Sequence, residues 1–218
     1  MAGGLFTSGR GVDPRAAREG VAHLRAVDPT LWALIDRVGP YRLEADRGPD
    51  HFAALCESIV YQQLNGKAAA VIHRRFVDRL GGPPDPTRVA AASDADLRGV
   101  GLSGAKTRAL KDLALAATDG RLPLPVDPAA PDEAIAEQLV RVRGIGPWTA
   151  DMFLLFHLGR ADVWPVGDFA IRTAAKRLYG LRGDPTPARL HRLAAPWRPW
   201  RSVASWYLWR SLDTPGRA

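Results

Sequence analysis

Apolar positions along this chain recur with helical spacing, and the strict alternation that marks strands is almost absent. Phe52, Leu55, Cys56, Ile59 and Val60 fall at i, i+3, i+4, i+7 and i+8. Ala150, Phe153, Leu154, His157 and Leu158 repeat that spacing, and Ile171, Ala174, Ala175 and Leu178 follow it one turn shorter. Each set predicts a helix with one buried face. Gly81–Pro86, Gly99–Ser103, Pro123–Pro131 and Gly180–Pro187 break the pattern, as clustered glycine and proline do. Ser93 is placed to cap a short helix over 94–98. Counting stripes and breaks predicts about ten short helices and an all-α fold.

No connection is long or polar enough to separate independent domains. The expectation is a flexible start over residues 1–12 and one domain over 13–218. Its helices divide into two lobes with a cleft between them. One lobe is expected over about 50–165, the other from the N-terminal helices together with about 166–218.

Composition narrows the class. The 218 residues are 46% hydrophobic and 24% charged, which fits a globule with a real core and excludes a disordered chain. The apolar runs fall far short of the roughly 20 residues that span a bilayer, so no membrane partner is expected. A lone cysteine, Cys56, excludes a disulfide framework and any four-cysteine zinc or iron–sulfur site. Met1–Arg10 lacks the apolar core of a signal peptide, and the cytoplasm is the expected compartment. The net charge of +7 suggests a polyanionic partner. Yet 26 of the 30 basic residues are arginine, beside much alanine and proline, a skew that coding bias also produces. Charge alone leaves the partner open.

The segment Leu139–Ala150 reads as a tight hairpin between two helices. The first, over about 131–142, ends at Gly144, since glycine readily takes the left-handed backbone of a helix terminus. Gly146 comes next, and Pro147 suits the first turn of a second helix, over about 147–159. Unpaired amides at Gly146, Trp148 and Thr149 would then favour an anion such as a phosphate. A plain helical corner has the same spacing.

Asp168 follows Trp164-Pro165-Val166-Gly167 and opens the next helix, Phe169–Tyr179. Amides and helix dipole favour a carboxylate there, which also describes a simple N-cap. The five histidines are scattered, and no carboxylate pair sits near them at metal-ligand spacing, so metal hydrolase and Ser-His-Asp chemistry are disfavoured. His157, on an apolar stripe, reads as a core histidine. Trp197, Trp200, Trp206 and Trp209 crowd the C-terminal end among arginines. Two of them suit the core; the density also suits a site that stacks a flat, cationic ring.

Together these pieces resemble the helix-hairpin-helix (HhH-GPD) DNA glycosylases, in particular the 3-methyladenine DNA glycosylase II branch. The likeness covers about 50–212. It rests on Glu57–Leu64 with Lys67–Ala69, Gly101–Thr107, the Gly144–Ala150 hairpin, Val163–Asp168, and Pro199–Ser202 with Trp209. The resemblance implies the two-lobed fold and makes Asp168 the catalytic aspartate. It implies that Gly144, Gly146 and Thr149 grip a DNA phosphate, and that the carbonyls of Val140, Val142 and Ile145 hold a monovalent cation, Na+ or K+, beside it. Gln63 matches the wedge that fills the gap left by a flipped nucleotide, with Leu64 next to it as the other candidate. Trp148, Trp209 and Met152 match base-pocket positions, Met152 standing where some relatives have an aromatic residue. Arg143 stands where the family often has proline, which makes this hairpin more basic.

The resemblance further implies a monofunctional enzyme. Relatives that also cut the strand place a lysine where this chain has Trp148, and no lysine lies between Lys111 and Lys176. An indole cannot form a Schiff base. The implied activity is hydrolytic release of alkylated bases, such as 3-methyladenine and 7-methylguanine, from damaged duplex DNA by a monomer that needs no cofactor for the chemistry. Two other readings compete: a non-catalytic helix-hairpin-helix DNA-binding module, and a bifunctional glycosylase/lyase for oxidised bases.

Overall fold

The structure is a computed structural model that describes residues 12–43 and 50–213. Among the described residues it has no strand. Its α-helices are α1 (Pro14–Val27), α2 (Pro29–Val38), α3 (His51–Tyr61), α4 (Gly66–Leu80), α5 (Pro86–Ala91), α6 (Asp94–Gly99), α7 (Gly104–Thr118), α8 (Asp132–Val140), α9 (Pro147–Met152), α10 (Phe169–Leu178), α11 (Pro187–Leu193) and α12 (Arg201–Asp213). No described helix is long and apolar enough to cross a membrane.

The described residues fall into two compact units, 50–153 and 12–43 together with 154–213. The units part at Phe153, earlier than the residue 165 expected from the sequence. Loop 160–165 is fastened to the start of α12, which draws it into the second unit. Residues 1–11 lie outside the described part, but Val12, expected to be flexible, is buried in the core of the second unit.

Helix starts follow local chemistry. Asp13, Asp28, Asp50, Asn65, Asp85, Ser93, Ser103, Asp168 and Thr186 each accept amides of the helix they precede, which satisfies donors that a first turn leaves unpaired. In the first unit the α3 stripe, Phe52 to Val60, is buried as the spacing predicts. It packs against α4 and α7, and α7 also carries α5 and α6. Burial pushes the Cys56 thiol well above its usual range, so it behaves as a core residue. In the second unit α12 packs on α1, α2 and α10 around Leu24, Leu31, Ile171, Trp197 and Tyr207.

One element departs from expectation. A straight helix over 147–159 is predicted, but α9 stops at Met152 and the chain widens into a π-helical turn over Phe153–His157. The run Met152-Phe-Leu-Leu-Phe156 is buried throughout. Leu155 and Phe156 lie off the predicted stripe and are buried with it, so the burial is wider than one helix face and the spacing does not reveal the wider turn. His157, which the stripe reads as a core histidine, is half-buried.

The α8–α9 hairpin is seated on α7. Gly144 has φ +81°, and a Cβ there would lie 2.6 Å from the Cβ of Ala109. Both the backbone conformation and the close approach require glycine. Gly144→Ala should therefore cost about 2–4 kcal/mol in urea unfolding, from left-handed strain and overpacking together. Ala109→Gly should restore part of that loss by reopening the space; no loss in Gly144→Ala would contradict the packing described.

Candidate functional site

Asp168 sits at the N-cap of α10 and is 8% exposed. Its Oδ1 accepts the Ile171 amide at 2.8 Å and the Trp209 indole N–H at 3.0 Å. The first bond is the capping bond that the sequence predicts. The second comes from 41 residues away and leaves no trace in local spacing. Trp209 in turn stacks on Phe156, with centroids 5.4 Å apart and planes at 28°. Trp209 thus holds the carboxylate as well as offering an aromatic face.

The loop before Asp168 is fastened at several points. The Asp168 amide donates to the Pro165 carbonyl at 2.9 Å. Trp164 meets Trp197 edge-on at 5.2 Å. Ser202 donates to the Arg160 carbonyl at 2.6 Å and accepts the Val163 amide at 2.9 Å. Arg201 grips both carboxylate oxygens of Asp162, at 2.6 and 2.9 Å, and Arg198 adds a third bond at 3.1 Å. Two-point guanidinium–carboxylate pairing is both strong and directional. This explains the Pro199–Ser202 motif: its residues fix the loop that presents Asp168. The Asp162–Arg201 pair joins residues far apart in the chain, and no local spacing signals it. Phe169, immediately after Asp168, is 80% exposed.

The first unit holds the hairpin residues together with Trp148 and Met152. Arg143 donates its amide to Asp112 Oδ2 at 2.7 Å. The proline that the resemblance leads one to expect at this position has no N–H to give, so this hydrogen bond to α7 depends on the residue being Arg143. Among the described residues the amides of Gly144, Gly146 and Thr149 have no acceptor. Gly146 is the N-cap of α9, without a side-chain cap, and Pro147 fills the first turn as predicted. Arg141 and Arg143 are exposed beside these amides. Trp148 is half-buried and Met152 buried. Val142 accepts the Ile145 amide on its carbonyl at 3.1 Å, which leaves that oxygen a second lone pair.

Gln63 is exposed and Leu64 half-buried in the turn between α3 and α4. The neighbouring Gln62 bonds the hairpin directly: Nε2 donates to the Gly144 carbonyl at 2.9 Å and to Thr149 Oγ1 at 3.3 Å. Lys106 donates from Nζ to the Val60 carbonyl at 2.7 Å, closing the C-terminal end of α3. Lys111 bonds the Ala90 and Ala92 carbonyls near the end of α5, and Lys176 pairs with Asp184. Three of the four lysines are thus committed to structural contacts.

The fold and these features define an all-helical protein built around a helix-hairpin-helix and a capped aspartate. Residues 56–199 match the HhH-GPD superfamily of base excision DNA repair proteins. The chain belongs to that superfamily. It is 32% identical over 193 residues to the Schizosaccharomyces pombe DNA-3-methyladenine glycosylase 1, covering 83% of this chain and 85% of that one. Of the Bacillus subtilis relative YfjP, 33% identical over 169 residues, the match takes 74% of this chain and 59% of the relative's length. The solved structure of the S. pombe 3-methyladenine DNA glycosylase Mag1 in complex with abasic DNA superimposes with a TM-score of 0.78 at 31% identity, covering 90% of this chain and 97% of that one. A Bacillus halodurans DNA-3-methyladenine glycosidase superimposes with a TM-score of 0.80 at 35% identity, with 89% of each chain covered.

One further acid stands out in the first unit. Asp151 lies one helical turn after Trp148, and burial pushes its carboxyl up to about 6. An acid raised in the folded state binds its proton more tightly there. Its penalty is therefore absent below the unfolded value of ~4 and complete above about 6. Asp151→Asn should raise Tm by about 2–4 °C at pH 8 and leave it unchanged at pH ~4. A gain of equal size at both pH values would show that ionisation is not its source.

Proposed function

We propose that this protein is a monofunctional DNA glycosylase that releases alkylated bases, such as 3-methyladenine and 7-methylguanine, and so starts base excision repair. The observation that carries the proposal is the Asp168 carboxylate held by the Ile171 amide and the Trp209 indole. Support comes from relatives that bear the names of 3-methyladenine glycosylases, one of them solved on abasic DNA.

The residues fit successive tasks. The free amides of Gly144, Gly146 and Thr149, flanked by Arg141 and Arg143, take a phosphate of duplex DNA without reading sequence. The carbonyls of Val140, Val142 and Ile145 would hold Na+ or K+, whose charge would offset that of the phosphate. Gln63, exposed where Leu64 is half-buried, fills the gap left by the extruded nucleotide. Trp148, Met152 and Trp209 are the positions that the family resemblance assigns to the base, and aromatic faces favour an electron-poor, cationic ring. Ring alkylation makes such bases good leaving groups that need little protonation. As the glycosidic bond breaks, the sugar gains oxocarbenium character, which the negative charge of Asp168 stabilises. The same carboxylate accepts the proton of the attacking water. Trp148 supplies no amine, so no Schiff base forms and the strand stays intact. The protein acts as a monomer, and we place it in the cytoplasm.

Asp168→Asn tests the assignment without disturbing the fold, because asparagine keeps a carbonyl oxygen for both N–H donors. It should slow single-turnover base release at least ~100-fold, with affinity for an abasic-site duplex within about threefold of wild type. Base release at the wild-type rate would remove Asp168 from the chemistry.

A further inference from the structure

We infer that Gln62 is a positioning residue that ties the wedge to the phosphate grip, so that seating of the DNA backbone and insertion of Gln63 occur as one event. This rests on the proposed function and deepens it.

The turn from α3 to α4 is held in an unfavourable backbone state. Gln63 has φ +56°, and it is the only non-glycine with positive φ among the described residues. Long side chains avoid this region, and such a conformation persists only where the surroundings over-determine it. Here they do so from both sides. Before Gln63, Lys106 pins the Val60 carbonyl at 2.7 Å, and the Leu64 amide turns back to the Tyr61 carbonyl at 3.3 Å. After it, Asn65 caps α4 through the Ala68 amide at 2.9 Å.

The remaining restraint reaches across the sequence. Gln62 places its side-chain amide on two acceptors of the hairpin, 82 and 87 residues away: the Gly144 carbonyl at 2.9 Å and Thr149 Oγ1 at 3.3 Å. These acceptors bracket Gly146, so one amide spans the residues whose free N–H groups suit a phosphate. Any shift of the hairpin is passed to the residue adjoining Gln63. A carbonyl and a hydroxyl acceptor also fix the orientation of the amide, because only the NH2 end can serve the carbonyl. A residue serving packing alone would not need both a matched donor and a strained neighbour.

Gln62→Met keeps the length of the side chain and removes the donor. The test compares wild type, Gln62→Met, Gln63→Ala and the double variant. It uses 2-aminopurine fluorescence beside the target base to read flipping, single-turnover base release from methylated duplex, and affinity for an abasic-site duplex. Gln62→Met should reduce both flipping and release about tenfold while affinity stays within about threefold. In the Gln63→Ala background it should add less than about twofold, because Gln62 acts through Gln63. Flipping and release within about twofold of wild type would overturn the inference, as would losses that multiply in the double variant. If Gln62→Met does not fold, Thr149→Val replaces it. A loss of about threefold that vanishes with Gln63→Ala supports the coupling, and an unchanged rate overturns it. A wild-type protein that releases no base would defeat the proposed function alone, because the fluorescence comparison reads flipping without chemistry.

Discussion

The second unit is organised around one constraint: a buried carboxylate kept in place by two N–H donors. Asp168 Oδ1 receives a backbone amide from its own helix and an indole from α12. Burying a carboxylate is unfavourable unless such donors replace water. The surrounding structure supplies them. Phe156 stacks behind Trp209 and fixes its ring. Arg201 and Ser202, at the start of the same helix, hold the loop that delivers Asp168. α12 therefore carries both the fastening of the loop and the partner of the carboxylate. This preorganisation matters because a fixed charge stabilises a developing cation without the cost of reorienting its surroundings.

The first unit holds a different feature, a hairpin on a rigid support whose backbone amides have no acceptor among the described residues. Gly144 lets the hairpin lie directly on Ala109 of α7. Asp112 of the same helix accepts the Arg143 amide, and Gln62 donates to the Gly144 carbonyl. The amides that remain are those of Gly144, Gly146 and Thr149. Arginine is the main basic residue throughout, and its excess gains meaning from position: Arg141 and Arg143 border these amides, whereas Arg121, Arg198 and Arg201 are spent on Asp112, Asp119 and Asp162 within the fold. The bare net charge could not separate these uses.

Much of this was legible in the sequence wherever the cause is local. The α3 stripe, the Ser93 and Asp168 caps, the left-handed Gly144 and Pro147 in the first turn of α9 follow from backbone chemistry within a few residues. The resemblance to the glycosylases added Trp209, Met152 and Gln63, which spacing alone does not single out. The rest depends on contacts between distant residues. The indole of Trp209 on Asp168, the Asp162–Arg201 pair and the reach of Gln62 to Gly144 leave no periodic signal. The π-helical turn escaped for a different reason: Leu155 and Phe156, which lie off the apolar stripe, are buried like Phe153 and Leu154 on it, so the regular spacing does not show the wider turn.

The central claim is that a fixed aspartate, without any amine nucleophile, releases an alkylated base. Its most direct test is incubation of the wild-type protein with methylated duplex DNA, with mass spectrometry of the freed bases and borohydride treatment of a parallel sample. Aspartate-assisted hydrolysis predicts free 3-methyladenine and 7-methylguanine, intact strands bearing abasic sites, and no covalent protein–DNA adduct. Absence of any freed base, or a trapped adduct, would contradict it.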